Sequence, residues 1–426
     1  FWLKHFGLRP ITSMIPQSHT ICSPCAPELD DSAPLPKRPR KKRLIAPGAF
    51  GLDTRSGCLC CGSAWCVDVV ESRPPADVDL KCRPEVLALR QRLVADRRHF
   101  HQHPELSFKE HETALRCAAR LRELGLQVTE GVAPGTGVVA FLEGGAGPGP
   151  CIALRADMDA LPIQEEPAEG QEALPFASVN AGVMHACGHD AHIATMLCVA
   201  EVLSSETIRK RLRGRVKFIF QPAEENGNDE FVHGGAYEMV HTARVLDGVE
   251  AIFGMHVWSF APVGTVGVSP GCIMAGCDTV EIDIEGRGGH GAAPQGTVDA
   301  VLVMGHLITA LHSIVSRSHD PQASNVLTIG SAEAGQAPNV IAARAKLRAT
   351  IRCLDDASQA MMKRRVREVC EGVGATFGAR ITARYTEEAP RLVNDAEAAG
   401  RVEAAAKSVV SAGGGKRVTT TASEDF

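Results

Sequence analysis

The pattern of apolar and polar positions becomes regular near residue 85. Apolar residues recur at helical spacing over residues 86–103 and 110–124, which predicts two amphipathic helices, the second ended by Gly125. Four later stretches are apolar on both faces, namely residues 138–142, 151–154, 216–220 and 251–253. Strands of that kind lie between helices in a parallel sheet. The sequence therefore predicts an α/β domain with a mostly parallel sheet and helices on both faces.

Residues 273–389 have a different order of elements. In chain order the pattern predicts strand 279–285, helix 298–316, strands 325–329 and 345–352, helix 357–371 and strand 381–385. This β-α-β-β-α-β order is that of a ferredoxin-like α+β unit. We therefore expect a larger domain that begins at 85–272, is interrupted by an inserted satellite domain at 273–389, and resumes at 390–426.

Residues 1–84 are rich in Pro, Ser and Cys and show no sustained periodicity, so a disordered leader is predicted. Its basic run at 37–43 is interpreted as a solvated charge run, with a nuclear-import signal as the alternative. Cys22 and Cys25, with the cysteines at 58–66, could form a zinc knuckle, but a second clean C-x-x-C pair is absent.

Composition narrows the possible partners. The 426 residues carry a net charge of -5, which offers no broad cationic surface for nucleic acid or membranes. No run of eighteen apolar residues and no secretion signal occurs in the sequence. The fifteen cysteines are scattered through a large chain and are interpreted as reduced thiols. A small-molecule substrate and an intracellular, cytoplasmic location are expected, and organelle targeting by the leader stays open.

Each of three predicted buried strands is followed directly by polar residues: Asp157 and Asp159, then Glu224 and Glu225, then His256. Ligand sites in parallel sheets lie beyond the carboxyl ends of the strands, so these side chains should converge. Adjacent carboxylates repel each other unless a cation neutralises one. Solvated surface acids, and a core histidine packed on Trp258, are the alternatives, but they do not explain why these residues follow buried strands.

A fourth candidate segment, residues 184–192, precedes an apolar helical run, for which Asp190 is a candidate N-cap. Cys187 and His189 are separated by one residue, so both can face one ion. Thiolate, imidazole and carboxylate all bind zinc-like divalent ions. C-x-H spacing alone is common by chance, and the acids and histidine at the strand ends are what strengthen the prediction of a metal site.

Other motifs predict different chemistry. Residues 267–271, GVSPG, fit the nucleophile elbow of serine hydrolases, but Pro270 lacks the N–H that must face the oxyanion, and a strand rather than a helix is predicted next. Residues 286–291, GRGGHG, lack the Gly-Lys-Ser/Thr ending of a phosphate-binding loop. Three histidines near the end of the first helix do not share a face and are interpreted as structural or supporting residues: His99, His101 and His103.

Several segments together carry a specific resemblance: HPELSFKEHET, ALRADMDALPIQE, MHACGHDAHIA, FQPAEE, AIFGMHV, GRGGHGAAPQ and the closing SEDF. From about residue 89 onward the chain resembles the metal-dependent N-acyl-amino-acid amidohydrolases. This family includes hippurate hydrolases and auxin-conjugate hydrolases, within the wider aminoacylase and carboxypeptidase group. The resemblance implies a catalytic domain with two divalent ions, Mn²⁺ or Zn²⁺, and a satellite domain that forms a homodimer.

The resemblance also implies roles for individual residues. The implied metal ligands are Cys187, His189, Glu225 and His256. Glu224 resembles the proton shuttle, and Asp157 resembles an acid that orients the site without binding the ions. His290, in GGHGAAP, resembles a satellite-domain histidine that contacts the substrate carbonyl, sometimes in the partner subunit.

The implied activity is hydrolysis of an N-acyl amino acid to a carboxylic acid and an amino acid. A dipeptidase or deacetylase of the same group is the alternative within the enzyme class. The family carries a further ligand histidine downstream of SEDF, and this sequence ends before it. We therefore expect a truncated sequence, with a non-catalytic homologue that binds acyl-amino acids as the alternative.

Overall fold

The computed structural model describes residues 82–167, 170–225, 234–259, 261–410, 414–416 and 420. The predicted disordered leader lies outside the described residues apart from its last three positions, and residue 84 already begins a helix. The cysteine cluster, the basic run and the closing SEDF segment also lie outside them.

The larger domain alternates helices and strands. Its helices are α1 (Pro84–Ala88), α2 (Arg90–Gln102), α3 (His111–Glu123), α4 (His189–Ser204), α5 (Glu206–Arg209) and α6 (Gly234–Tyr237), which a π-helical turn, Glu238–Thr242, continues. Its strands are β1 (Gln127–Val132), β2 (Gly137–Glu143), β3 (Cys151–Asp157), β4 (Arg215–Gln221) and β5 (Ala251–Gly254).

These five strands form one sheet in the order β1-β2-β4-β3-β5. β3 pairs in parallel with β4 and β5, whereas β2 pairs antiparallel with β1 and β4. The α/β class is confirmed, but the sheet is mixed rather than mostly parallel. The four predicted strands occur where the sequence is apolar on both faces. That pattern does not indicate strand direction, since β2 is antiparallel to both neighbours and still almost wholly buried.

Helical segments cover both faces of this sheet. On one face, helices α2, α3 and α4 pack against the strands through large buried side chains, including Phe100, Leu121, Ile193, Phe218 and Phe220. On the other face, Val139, Ala153 and Ile219 pack against Met239 of the π-helical turn and Val245 just after it. The sheet is thus buried between two apolar layers, as the alternating pattern predicted.

The satellite begins after two short strands, β6 (Val266–Gly267) and β7 (Gly271–Met274). Its elements are β8 (Gly276–Glu285), β9 (Gly289–His290), α7 (Ala300–Ser313), β10 (Asn325–Ala334), β11 (Val340–Ile341), β12 (Arg344–Cys353), α8 (Asp356–Phe377) and β13 (Arg380–Ala389). A 3₁₀ turn, Pro294–Gly296, precedes α7, and a π-helical turn, Ile314–Ser318, continues it. Last come β14 (Leu392–Asn394), which pairs antiparallel with β7, then α9 (Ala396–Val409) and β15 (Gly414–Lys416).

The four long satellite strands form an antiparallel sheet in the order β10-β12-β8-β13. Helices α7 and α8 pack on it and share one apolar core. Asp299 and Asp355 cap the two helices through their side chains, and Gly378, at φ +70°, ends α8. The predicted β-α-β-β-α-β satellite is confirmed.

By length and composition alone, one helical stretch among the described residues, Ala300–Ser318, could cross a membrane. Its inward positions are buried in the satellite core: Val303, Leu307, Leu311 and Ile314. Packing against the satellite sheet therefore explains the apolar residues at these four positions.

Candidate metal centre

Predicted site residues lie at the carboxyl ends of three neighbouring strands. β3, β4 and β5 run in the same direction, so these ends lie at one edge of the sheet. Helix α4 begins at the same edge with His189 as its first residue. Among the described residues, three groups have potential ligand atoms within 4.8 Å of one another: Cys187, His189 and His256; His189, Glu224 and Glu225; and Asp157, His189 and His192.

The first group brings together the thiol of Cys187 and the rings of His189 and His256. The Cys187 Sγ lies 3.4 Å from His256 Nε2. Two ligands bound to one tetrahedral zinc-like ion stand roughly 3.5 Å apart, so this spacing suits a shared cation. Burial raises the pKa of Cys187 to about 12, with Glu224 and Glu225 adding to the effect. The thiolate form therefore needs a cation beside it.

The second group faces the other side of the His189 ring. His189 Nδ1 donates to the Asp159 carbonyl at 2.8 Å, which directs Nε2 toward three carboxylates. Its distances are 3.7 Å to Asp157, 3.8 Å to Glu225 and 3.9 Å to Glu224. These are too long for hydrogen bonds, and the buried Nε2 has no such partner among the described residues. The geometry fits a cation between the imidazole and the acids.

The acids also act on His189 electrostatically. Burial opposes a charged ring, but Asp157 and Asp159 outweigh it and raise the pKa of His189 well above its ordinary value. The field at this nitrogen therefore favours positive charge, which a divalent ion would supply.

In the third group, Asp157 and His192 are already engaged with other protein groups. Asp157 accepts from Arg155 Nη1 at 2.7 Å and contacts His192 Nδ1 at 2.6 Å. His192 Nε2 accepts the backbone N–H of Val257 at 2.9 Å. The donor sets suited to divalent ions are therefore the first two groups, which contain all four predicted ligands.

Comparison with known proteins agrees with this donor chemistry. The model of peptidase family M20/M25/M40 matches residues 153–426. The chain belongs to this family. Among M20 relatives, the N-acetylcysteine deacetylase of Bacillus subtilis is 41% identical over 308 residues, which are 72% of this chain and 77% of the relative. The N-acyl-L-amino acid amidohydrolase of Geobacillus stearothermophilus is 41% identical over 310 residues, covering 70% and 80% of the two chains.

The fold also matches a solved M20 structure. A crystal structure from Bacillus subtilis, described as a dinuclear metal-binding peptidase of the M20 family, superposes with a TM-score of 0.66 and 36% sequence identity. The match covers 80% of this chain and 85% of that structure. The predicted amidohydrolase family and the enzyme class are thereby confirmed.

Asp159 organises the turn that carries Glu224 and Glu225. Its carboxylate accepts the backbone N–H groups of Glu224 at 3.1 Å and Glu225 at 3.0 Å, and the hydroxyl of Ser107 at 2.7 Å. Sequence analysis placed Asp159 at a strand end but assigned it no role. The available signal was the D-x-D spacing at the end of β3, where Asp157 is the last strand residue and Asp159 lies two residues beyond it.

Glu110 also holds the turn that carries Glu224 and Glu225, and this role was missed by sequence analysis. Its carboxylate accepts the N–H of Ala223 at 2.8 Å, the N–H of Phe108 at 3.0 Å and the hydroxyl of Thr136 at 2.7 Å. Ala223 and Phe108 both have positive φ, at 48° and 61°, so these bonds stabilise uncommon backbone. Burial raises the pKa of Glu110 to about 7.

His101, interpreted from sequence as structural or supporting, is wholly buried between two acids. Its ring nitrogens lie 2.8 Å from Asp190 and 3.1 Å from Glu165. Asp190 also pairs with Arg97 at 2.9 Å. The prediction that Asp190 caps α4 was wrong. Gly188 is the N-cap at φ +89°, and Asp190 is the second helical residue. The Asp190 side chain contacts His101 on α2.

His290 lies on β9 of the satellite, where it pairs with Val340 of β11, and its side chain is exposed. Its Nδ1 accepts the N–H of Ala292 at 3.1 Å. None of the three groups, which cover only the described residues, contains it. The structure therefore brings together the four predicted ligands, Glu224 and Asp157, while His290 stands apart on the other domain. At the GVSPG motif, strand β7 begins at Gly271, so the helix required by a nucleophile elbow is missing there.

Proposed function

We propose that this protein hydrolyses the amide bond of an N-acyl amino acid and releases a carboxylic acid and an amino acid. The observation that carries the proposal is the pair of donor groups that share His189, the second of which contains Glu224. Two relatives, an N-acetylcysteine deacetylase and an N-acyl-L-amino acid amidohydrolase, support this substrate class.

The proposed cofactors are two divalent ions, Mn²⁺ or Zn²⁺, bound by Cys187, His189, Glu225 and His256. Bound there, they would polarise the scissile carbonyl and lower the pKa of water. The mixed sulfur, nitrogen and oxygen donor set suits borderline ions better than Mg²⁺ or Ca²⁺.

Glu224 is the proposed general base. Its side chain is 10% exposed, so it reaches the site while staying largely screened from bulk water. Asp159 fixes its backbone N–H, which limits the positions its carboxylate can adopt. Glu224 would take a proton from the attacking water and pass it to the leaving amine, so no covalent acyl-enzyme is required.

Two further residues have proposed roles. His290 would donate a hydrogen bond to the carbonyl oxygen as negative charge develops there, which requires the satellite of the same or a second subunit to close over the site. This is why a homodimer formed through the satellite belongs to the proposal. Asp157 would hold the surroundings of His189 without binding an ion.

The experiment is turnover by metal-loaded protein with hippurate, N-acetyl-methionine, indoleacetyl-alanine and dipeptides. Glu224→Gln should lower kcat by about 100-fold or more while metal content stays unchanged. Glu371→Gln, an exposed position on α8, is the matched control. Wild-type turnover in folded, metal-loaded Glu224→Gln would refute the mechanism, and cleavage of dipeptides alone would favour the peptidase alternative.

A further inference from the structure

The geometry points to His192 as a positioning residue that fixes the metal-binding direction of His256 through the Val257 peptide. This inference rests on the proposed metal centre. It assigns His192 no bond to an ion, although His192 lies in one of the three groups whose spacing would suit a metal.

Both ring nitrogens of His192 are occupied by protein groups. Nε2 accepts the N–H of Val257 at 2.9 Å. Because that nitrogen acts as an acceptor, the ring proton is on Nδ1, which donates to Asp157 Oδ1 at 2.6 Å. The ring is 2% exposed, so water does not compete for either bond. A metal ligand needs a nitrogen lone pair directed at the ion, and this ring has none to offer.

Val257 connects His192 to His256. The Val257 carbonyl contacts His256 Nδ1, which therefore carries the proton and leaves Nε2 directed toward Cys187. The Val257 side chain lies over Gly188, where an added Cβ would come within 2.4 Å of Val257 Cγ2. One residue thus donates to His192 through its N–H, accepts from His256 through its C=O, and rests on the turn that carries Cys187.

Asp157, the partner of His192 Nδ1, is itself held in place by burial and by other hydrogen bonds. Asp157 is fully buried at the end of β3 and also pairs with Arg155, which donates from Nε to Gln221. His192 lies three residues after His189 on α4, so both project from one helix face. The bonds therefore run without a break from the sheet, through Asp157 and His192, to the loop that presents His256.

Two substitutions separate the two bonds of His192. In His192→Gln the side-chain oxygen can reach the position of Nε2 and accept from Val257, while the bond to Asp157 is lost. In His192→Asn the amide can replace Nδ1 and donate to Asp157, while the bond to Val257 is lost. The inference predicts that His192→Asn weakens metal binding 10- to 100-fold, the range typical of groups that hold a ligand histidine, and that His192→Gln weakens it much less.

The experiment measures Mn²⁺ and Zn²⁺ affinity by chelator competition, with thermal unfolding of each metal-free variant as the test of folding. Absorption spectra of Co²⁺-loaded protein report the number of nitrogen ligands, and nitrogen NMR of the metal-free protein reports the tautomer of His256. His312→Asn, an exposed histidine on α7, is the matched control and should bind as wild type. The expected result is an unchanged Co²⁺ ligand count in both variants, with altered His256 tautomer signals only in His192→Asn.

Three results would overturn the inference. Wild-type affinity in folded His192→Asn would show that the Val257 bond does not position His256. Equal losses in both variants, with one nitrogen fewer in the Co²⁺ spectrum, would make His192 a ligand. Greater loss in His192→Gln would assign the effect to Asp157 alone. Wild-type protein that binds no divalent ion would instead refute the proposed function, so the two failures are distinguishable.

Discussion

The buried ring of His101 should make the stability of this protein fall as the pH rises above neutrality. Burial opposes the charged ring, but hydrogen bonds to Asp190 and Glu165 outweigh it and raise the pKa of His101 to about 9. Burial likewise favours protonated Asp190, yet the bond to His101 and the charge of Arg97 lower its pKa to about 2. Each partner thus favours the charged form of the other.

The size and sign of the effect follow from linkage. A histidine pKa raised from about 6.5 in the unfolded chain to about 9 corresponds to at most roughly 3 kcal/mol of stability. Because the folded pKa is the higher one, this contribution is complete below about pH 6.5 and disappears as the pH rises through 9. Between these values the free energy of unfolding should fall by about 1.4 kcal/mol per pH unit from this residue alone.

The assay compares urea unfolding of wild type and His101→Gln at pH 6.5, 8 and 9.5. A chelator is present in every sample, so that pH-dependent metal binding does not contribute. Glutamine stays neutral, so the variant should be less stable than wild type at pH 6.5 and close to it at pH 9.5. His103→Gln is the control, because the His103 ring bonds to the His99 carbonyl instead of a carboxylate. Parallel stability curves for wild type and His101→Gln would refute the reasoning.

Three further predictions concern the turns and the ions. Gly188→Ala should destabilise the protein by about 1–3 kcal/mol and weaken metal binding in a metal titration, because Gly188 has φ +89° and an added Cβ would clash with Val257. The control is Gly182→Ala, at φ +74° with open space around it, which should retain metal affinity. In urea unfolding, Glu110→Gln should gain stability relative to wild type as the pH rises from 4.5 to 7, because the raised pKa of Glu110 makes wild type lose stability over that interval. A constant difference in unfolding free energy between the two proteins would contradict this. Removing the ions with a chelator should lower the melting temperature measured by calorimetry. The loss should correspond to about 4 kcal/mol of stability compared with protein in a metal concentration of 1,000 times Kd. An unchanged transition would contradict metal binding at this site.

Elements with a strong local pattern were predicted well from the sequence. The predicted helices and long strands of the satellite all occur, because alternating burial and aspartate caps specify them locally. The direction of β2 was not predicted, since it depends on a pairing with β4 more than seventy residues away. The structure also extends β10 to Ala334, because its outer half pairs with β12 whether or not its side chains are apolar.

The candidate site divides in the same way. Glu224, Glu225 and His256 could be predicted because they directly follow strands, where the topology of parallel pairs brings side chains together. Cys187 and His189 could be predicted from their C-x-H spacing just before an apolar helix. The residues that hold them were missed or left without a role, among them Asp159, Glu110 and His192. Glu110 bonds to Ala223 across 113 residues and His192 to Val257 across 65, and no periodicity in one sequence reveals such pairs.

The first turn of α4 explains why these supporting contacts form one unit. Successive residues on a helix are rotated by about 100°, so Asp190 faces a different part of the domain from His189 and His192, which share one face. His189 faces the acids, Asp190 faces His101 on α2, and His192 faces Asp157 and the loop that presents His256. A shift of this turn would therefore displace a proposed ligand, the buried charge pair and the Val257 contact together. Metal affinity and the pH dependence of stability therefore both depend on the position of the first turn of α4.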